Sequence, residues 1–348
     1  MRTSDAKVIW QVAATYVGTV VGAGFASGQE VLQFFTRYGE GAVWAIALST
    51  ALFYVFGLYT MRLGRRRSLS TFGDVSIAIL GRPLSIVVRA ALLLLLFGVT
   101  VAMLAGSGAL VQEQFSVPFS IGALIAVMAT ALTLFSGLRG VISANTWIVP
   151  LLIGFVVFAF AFSLTNYPAH MQFFIIVPAP LSPWKLALSA LFYTGFNVGL
   201  SLTVLIPLGQ VPHSERFLWQ GALLGAIILG LLLFLMHVVM ANQFDLLSVA
   251  QVPMGQLAKS FPTVMRYGFI LAVFAEIFST LIANVYGIAT ELSGSRRQQY
   301  FMYVVLVLTL TFLFCQIGFT QIVTIFYPIF GIVGLAILVL LMIKPLWR

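Results

Sequence analysis

Charge is scarce in this sequence. Only 8% of its 348 residues are Asp, Glu, Lys or Arg, against 61% that are hydrophobic, and the mean hydropathy is +1.08. A soluble domain is roughly one quarter charged, so this chain cannot coat a water-facing surface of its size, and a soluble globule is excluded. Cysteine is nearly absent too. Cys315 stands alone, which rules out an internal disulfide or a thiolate metal site. The three histidines, His170, His213 and His237, are scattered, and no paired carboxylates accompany them, so no metal-binding motif forms. Neither a GxSxG nor an HExxH pattern occurs, leaving an intramembrane hydrolase without machinery; no catalytic residue is expected. The alternation of barrel strands is missing as well. The first apolar run, from Val8, is too long and too broken by glycine for the core of a cleavable signal peptide.

What remains is a succession of long apolar runs. Ten spans are expected, at 8–36, 41–63, 83–111, 119–138, 141–164, 186–209, 218–241, 263–292, 300–318 and 320–343. Most hold the ~20 apolar residues needed to cross the hydrocarbon core. Lipid offers no hydrogen bonds to backbone groups, so each span is expected to be a helix, giving an all-α integral membrane protein in one domain, 1–348. A short helix or loop is expected over 68–81, and another short helix near Met254–Lys259 within the segment 242–262. The formal net charge of +9 does not point to nucleic acid, because the basic residues sit in short gaps between apolar runs. With the N-terminus inside, 14 Lys and Arg fall on the cytoplasmic side, including Arg2, Arg65–Arg67, Lys344 and Arg348. Four fall outside: Arg37, Lys185, Lys259 and Arg266. Together these account for all 18. The positive-inside rule then places both termini in the cytoplasm, with the inner membrane of a bacterium as the expected location.

Two spans carry unusual glycine. The first contains Gly18, Gly22, Gly24 and Gly28, in the run Gly22-Ala23-Gly24-Phe25-Ala26-Ser27-Gly28-Gln29-Glu30. The sixth contains Tyr193-Thr194-Gly195-Phe196-Asn197-Val198-Gly199. Gly22 and Gly195 are 173 residues apart, and half of 348 is 174. Glycine weakens a helix by about 1 kcal/mol relative to alanine, and paired interruptions at matching points of two halves mark a transporter built from repeats, with its site at the breaks. Helices 1 and 6 are therefore expected to be broken, near Gly22–Gly24 and Gly195–Asn197, within repeats at about 8–164 and 186–343. The competing explanation is that the glycines let helices pack closely.

The run from Gly22 to Glu30, followed by Phe34-Phe35, resembles the signature of the YkvI-like bacterial membrane proteins, which are similar to the amino acid–polyamine–organocation superfamily. The resemblance spans essentially the whole chain by span count, and its specific part is the first span. It implies the LeuT-type fold of five plus five helices and secondary transport of amino acids or related small organic solutes. It also implies a sodium site made by the carbonyls of Gly18 and Val21 with the hydroxyls of Ser279 and Thr280. Members of that superfamily usually have a small residue where Glu276 stands, a departure that raises proton coupling beside sodium coupling.

The residues point the same way on their own. Glu276 lies mid-span, where a carboxylate costs about 2.5–3.5 kcal/mol by insertion scales. Ser279, Thr280 and Asn284 follow at i+3, i+4 and i+8 on one helix face. Two hydroxyls, a carboxylate and free carbonyls suit a hard monovalent cation; a polar seam joining helices is the plainer alternative. Glu30 is expected either to line an entry vestibule or to reach interfacial water. His237 is expected to bond a neighbouring helix. Gly106-Ser107-Gly108, Phe192 and Tyr327-Pro328 either border a cavity or serve packing.

The expected function is alternating access by a small solute, coupled to Na+ or H+, with no cofactor beyond a bound Na+. The solute would meet Gly22, Ala23, Gly24 and Phe25, where a half-helix beginning near Phe25 presents free N–H groups. From the sixth span it would meet Tyr193, Thr194, Phe196 and Asn197. The partners are thus a small solute and the bilayer. A non-transporting sensor that retains the fold is the alternative, weakened by the shortness of the loops.

Overall fold

A computed structural model of the chain describes residues 3–67, 71–166, 182–247, 253–294, 296–317 and 319–342. His170, Arg2, Lys344 and Arg348 lie outside the described residues, as do 68–70 and 248–252; Tyr327 and Pro328 belong to a helix whose side chains there are not described.

The described residues are helical almost throughout. The first segment comes in pieces: α1 (Thr3–Val20), α2 (Ala23–Ala26) and α3 (Gln29–Phe34), followed by a 3-10 turn at Thr36–Gly41. Then come α4 (Ala42–Arg67), α5 (Phe72–Leu80), α6 (Arg82–Phe115), α7 (Phe119–Leu134), α8 (Leu138–Asn166), α9 (Pro183–Leu208) and α10 (Glu215–Asn242). The short α11 (Phe244–Leu247) and α12 (Pro253–Ala258) precede α13 (Thr263–Ser293), α14 (Arg297–Phe314) and α15 (Phe319–Met342). Among the described residues, six helices are long and apolar enough to cross a membrane, and Phe119–Leu134, Gln298–Phe314 and Phe330–Met342 are shorter apolar helices.

Several hydroxyls in these apolar helices are satisfied locally. Thr50, Thr60, Thr100 and Thr130 each donate to the carbonyl four residues earlier, at 2.6 to 2.8 Å, so these four bring no unpaired donor into the membrane. Large apolar side chains such as Trp44, Leu94, Trp147 and Leu313 face outward, as a lipid-facing surface requires.

The two short pieces have clear local causes. α5 starts at Thr71, whose hydroxyl accepts from the Asp74 N–H at 3.1 Å, an N-cap worth about 1 kcal/mol. It ends at Gly81 (φ 80°), and Pro83 opens α6. α12 docks on the first segment through Met254 N–H to Ser27 O at 2.9 Å.

One end of the bundle gathers basic residues. Arg62 pairs with Glu215 at 2.8 Å, Arg65 bonds Pro212 O and His213 O, and Arg89 pairs with Glu291 at 3.1 Å. A cavity of about 420 Å³ opens at the opposite end, lined by Arg37 and Lys185 among others.

The sixth span corrects the sequence reading, because α9 is continuous from Pro183 to Leu208. Its glycines instead admit α15. A Cβ on Gly195 would lie 2.7 Å from Leu335 Cβ, and one on Gly199 would lie 2.8 Å from Gly334 Cα. Two helix backbones meet here, the close approach that small residues permit in membranes. The glycines are needed for contact, and the hydrogen-bond ladder through them stays intact. Gly106–Gly108 likewise serves packing: a Cβ on Gly108 would strike the Phe119 ring at 2.7 Å, and Ser107 donates to Leu104 O at 2.8 Å.

Candidate ion and solute site

The site is built where α1 stops. The ladder runs as far as Val21 N–H to Val17 O, 2.8 Å, and resumes with Ala26 N–H to Gly22 O, 3.0 Å. Val21 and Gly22 are non-helical between them, which frees carbonyls just before the interruption. Gly22 is required by its neighbour, since a Cβ there would meet Thr280 Oγ1 at 3.0 Å.

α13 supplies the other half. Ser279 donates to Gly18 O. Thr280 lies 3.2 Å from Val21 O and 3.1 Å from Glu276 O. The four residues that the resemblance singled out thus meet in two pairs, Ser279 with Gly18 and Thr280 with Val21, and the two hydroxyl side chains are buried at 5% exposure or less. Asn145 on α8 joins them, its Oδ1 beside Ser279 Oγ so that Gly18 O and Asn145 Oδ1 share that hydroxyl's single proton, while its Nδ2 has no partner among the described residues. Gly18 is held small by Asn145, whose Oδ1 would lie 2.5 Å from an added Cβ. Asn145 is absent from the sequence reading. A lone Asn in an apolar helix has no spacing signature, and its fully buried position is visible only in three dimensions.

The set is therefore two main-chain carbonyls, one amide oxygen and two hydroxyls from three elements. These are hard, neutral oxygen donors, the kind that alkali and alkaline-earth cations take, and no soft ligand is among them. Among the described residues no group of three His, Cys, Asp or Glu could hold a metal ion.

Glu276 sits one turn before Thr280 and is fully buried. Neither carboxyl oxygen has a hydrogen-bond partner among the described residues.

The residues expected to hold a solute are placed less uniformly. Gly22, Ala23, Gly24 and Phe25 follow the interruption, with Phe25 at 1% exposure. The half-helix there, α2, begins at Ala23 and is only four residues long; Gly28 follows with φ 83° and leads into α3, and Met240 Cε, 2.7 Å from where a Cβ on Gly28 would be, leaves no room for a side chain. A helix so short has little dipole to offer an anion.

On α9, Tyr193 belongs to an aromatic cluster with Phe34, Phe35 and Phe53, at ring distances of 5.4, 4.9 and 5.9 Å. Phe196 stacks on Phe330 at 6.2 Å. Asn197 donates to Tyr193 O within its own helix at 2.9 Å, and Thr194 Oγ1 is buried without a partner among the described residues. Two α9 hydroxyls reach the first segment, Ser189, which donates to Phe34 O at 2.5 Å, and Ser201, whose Oγ lies 3.2 Å from Thr19 O and 2.8 Å from Asn197 O in its own helix; the sequence reading missed both.

Glu30 is buried at 4% exposure, and the cavity at that end is lined instead by Gln33, Phe34, Arg37, Tyr38, Lys185 and Phe192, with others. α3 buries Glu30, while Gln33 on α3 and Arg37 on the turn that follows border the opening. His237 Nδ1 lies 3.2 Å from Thr36 Oγ1, a helix-to-turn hydrogen bond of the plain kind.

No family model matches the sequence. The membrane protein YkvI of Bacillus subtilis (strain 168) is 30% identical over 339 residues, which span 96% of this chain and 95% of that one. Among solved structures, a Na+-coupled sialic acid symporter, captured substrate-bound and outward-open, aligns with a TM-score of 0.73 at 14% identity, covering 96% of this chain and 78% of its own. MhsT in complex with L-phenylalanine aligns with a TM-score of 0.66 at 17% identity, covering 95% and 88%. These structural matches establish the LeuT-type fold, and the proteins concerned are membrane transporters rather than enzymes. At 30% identity along almost its whole length, the chain belongs to the YkvI family of membrane proteins.

Proposed function

We propose that this protein is a secondary active transporter of the bacterial inner membrane that carries a small organic solute by alternating access, coupled to Na+. The observation that supports it most is the junction of Gly18, Val21, Asn145, Ser279 and Thr280. These five bring hard oxygen donors from α1, α8 and α13 to one point beside an interrupted helix. A cation bound among them would tie the three elements into one arrangement, and its release would let α1 separate from α13; an ion acts on a conformational equilibrium only through such differential binding. The solute would lie next to Gly22–Phe25, walled on the α9 side by Thr194, Phe196 and Asn197. In this reading the ten helical segments form two halves of five, and both termini lie on the side of the Arg62–Arg66 and Arg89 contacts, as the positive-inside rule favours.

A second reading, coupling to protons, draws on one observation: Glu276 is buried beside the ion site with both carboxyl oxygens unpartnered among the described residues.

Uptake by proteoliposomes tests both. A mixed panel of small solutes is offered with Na+ gradients, pH gradients, both or neither. Accumulation driven by Na+ and reduced in Ser279→Ala/Thr280→Ala supports the first reading. Accumulation driven by pH alone and unchanged in that double variant selects the second. No accumulation of any solute under any gradient leaves the protein without a transport role.

A further inference from the structure

One cavity has no part in the transport cycle proposed above: that of about 420 Å³ at the end of the bundle opposite Arg62 and Arg89. Its size is that of a small-molecule pocket, and α3, the 3-10 turn, α9 and α15 wall it. The long polar side chains in its lining carry donors. Arg37 gives one N–H to Tyr38 Oη at 2.9 Å and lies over that ring at 5.0 Å, which leaves the rest of its guanidinium fork unused among the described residues. Lys185 stands in the first turn of α9, a helix of 26 residues whose Ser182 N-cap makes no side-chain cap, so the positive end of the helix dipole adds to the field of the ammonium. Gln33 brings an amide to the same lining.

Nothing acidic answers these charges. Among the described residues no carboxylate lines the cavity, and neither Arg37 nor Lys185 takes part in an ion pair. Glu40 follows Arg37 by three residues in the same turn but is exposed outside the lining, and Glu30 on α3 is buried. The stretches 167–181 and 319–329, which precede the α9 and α15 walls in sequence, contain no Asp or Glu. Two like charges at one opening, without a counter-charge, concentrate anions there and repel cations.

The rest of the lining is largely apolar, supplied by Phe34, Leu188, Phe192 and Ile332. Ser189 ties the α9 wall to the end of α3, its hydroxyl donating to Phe34 O at 2.5 Å. Two of the rings nearby also reach the residues placed around the solute. Phe34 lies 5.4 Å from Tyr193, and Phe330, next to the lining residue Gly331, stacks on Phe196 at 6.2 Å. A cavity with a cationic pair and apolar walls fits a molecule of complementary make, a negative head on an apolar body.

We propose that this cavity is a binding site for organic acids with a net negative charge and an apolar body, held by Arg37 and Lys185 and separate from the ion and solute site. A carboxylate meets the guanidinium and the ammonium through charge-assisted hydrogen bonds. The matching amino acid adds an ammonium that both cations repel, and the matching amine has nothing for them to attract. The role of the cavity as an entrance for such acids rests on the transport reading above; the binding itself does not.

Ligand-observed NMR on the purified full-length protein in phosphatidylcholine nanodiscs, with Na+ present, tests this with three molecules that share a phenyl body: phenyllactate, L-phenylalanine and phenethylamine. Phenyllactate is expected to bind at least about fivefold more tightly than L-phenylalanine, a difference of about 1 kcal/mol for charges at an exposed rim, and phenethylamine least of all. Arg37→Gln and Lys185→Gln should each weaken phenyllactate by about threefold, and together bring it level with L-phenylalanine, while Arg37→Lys keeps part of the preference. Both side chains are exposed, and melting temperatures without ligand show that the variants fold. Equal binding of acid and amino acid overturns the proposal, as does an acid affinity unchanged in the double variant, or no binding of any probe at millimolar concentration. A lipid phosphate on its acyl chains shares the chemistry, so the measurement is repeated with phosphatidylglycerol in the nanodisc. Unchanged affinity supports a soluble acid; loss of phenyllactate binding assigns the cavity to lipid and overturns the proposal. The transport reading fails separately. Acid binding that depends on Arg37 and Lys185, with no flux of any solute into liposomes, removes transport and leaves the site, whereas sodium-driven uptake with phenyllactate unbound does the reverse.

Discussion

Gly22 in the first span and Gly195 in the sixth look alike as sequence: glycine amid apolar residues, with polar neighbours, half a chain apart. In the structure they do opposite things. Around Gly22 the ladder lapses for two residues, and the freed carbonyls face hydroxyls of α13. Around Gly195 the ladder runs on, and the absent side chain is filled by the backbone of α15. The difference lies in the partner, not in the glycine. A helix opens where a neighbouring element offers polar groups to the released backbone, and stays closed where the neighbour is another glycine and its own backbone.

The comparison can be broken hardest at the α9–α15 contact. Gly199→Leu would drive a side chain into Gly334 Cα, 2.8 Å from the first added carbon. Backbone on both sides leaves nothing flexible to move, so destabilisation at the upper end of the overpacking range is expected, about 3 kcal/mol. Loss of the monodisperse peak in detergent, together with a lower melting temperature, would show it. A Gly199→Leu protein of normal stability would mean that α9 and α15 are not held together there.

At Gly18 the same kind of change should leave the fold and strike the ion. The three atoms nearest a Cβ there all belong to Asn145, whose amide must turn aside while no neighbouring backbone is among them. Gly18→Ala is expected to insert and melt normally while weakening the Na+ dependence of uptake by about tenfold, the loss of about 1.4 kcal/mol. Ser279→Ala with Thr280→Ala should weaken it at least as much. Asn145→Ala should do so by a similar or smaller factor, because it removes an amide that only the folded protein brings to this point. A flat Na+ response across all of these variants would reduce the junction to a seam between helices.

Glu276→Gln separates the two coupling ions. It should abolish the pH dependence of solute flux while leaving the sodium dependence in place, since the five oxygen donors remain. Flux that keeps its pH profile in Glu276→Gln would move the proton to another group.

Much of this arrangement was legible in the sequence because its causes are local. Hydropathy marked the apolar segments: the later expected spans fall on α4, α6, α7, α8, α9, α10, α13, α14 and α15, while the first is divided among α1, α2 and α3. Glu276, Ser279 and Thr280 announced themselves by i+3 and i+4 spacing. The integrity of α9 was not legible, since it depends on Gly334 and Leu335, which share no local pattern with Gly195. Asn145 was invisible for the same reason. The short α2 escaped notice because Gly28 stops it against Met240 and Met254, side chains far along the chain. In each miss, a long-range contact overrode a local preference.

The smallest expected effect lies on α9 and sharpens the comparison most. If the solute is held at the interruption, Gly24→Leu should abolish its binding, because bulk at that position occupies the space beside the freed backbone. Asn197→Ala should matter far less. Its amide is already engaged with Tyr193 O, at 2.9 Å within the same helix, and that carbonyl is also reached by the ladder, so the change costs less than about 1 kcal/mol of stability. Binding of a solute identified by uptake should weaken by about threefold, measured by displacement on variants that insert equally well. A loss in Asn197→Ala as large as in Gly24→Leu would require the Asn197 side chain to leave Tyr193 and turn to the solute. An unbroken helix would then be doing the work of a broken one, and the contrast between the two glycine segments would concern packing alone.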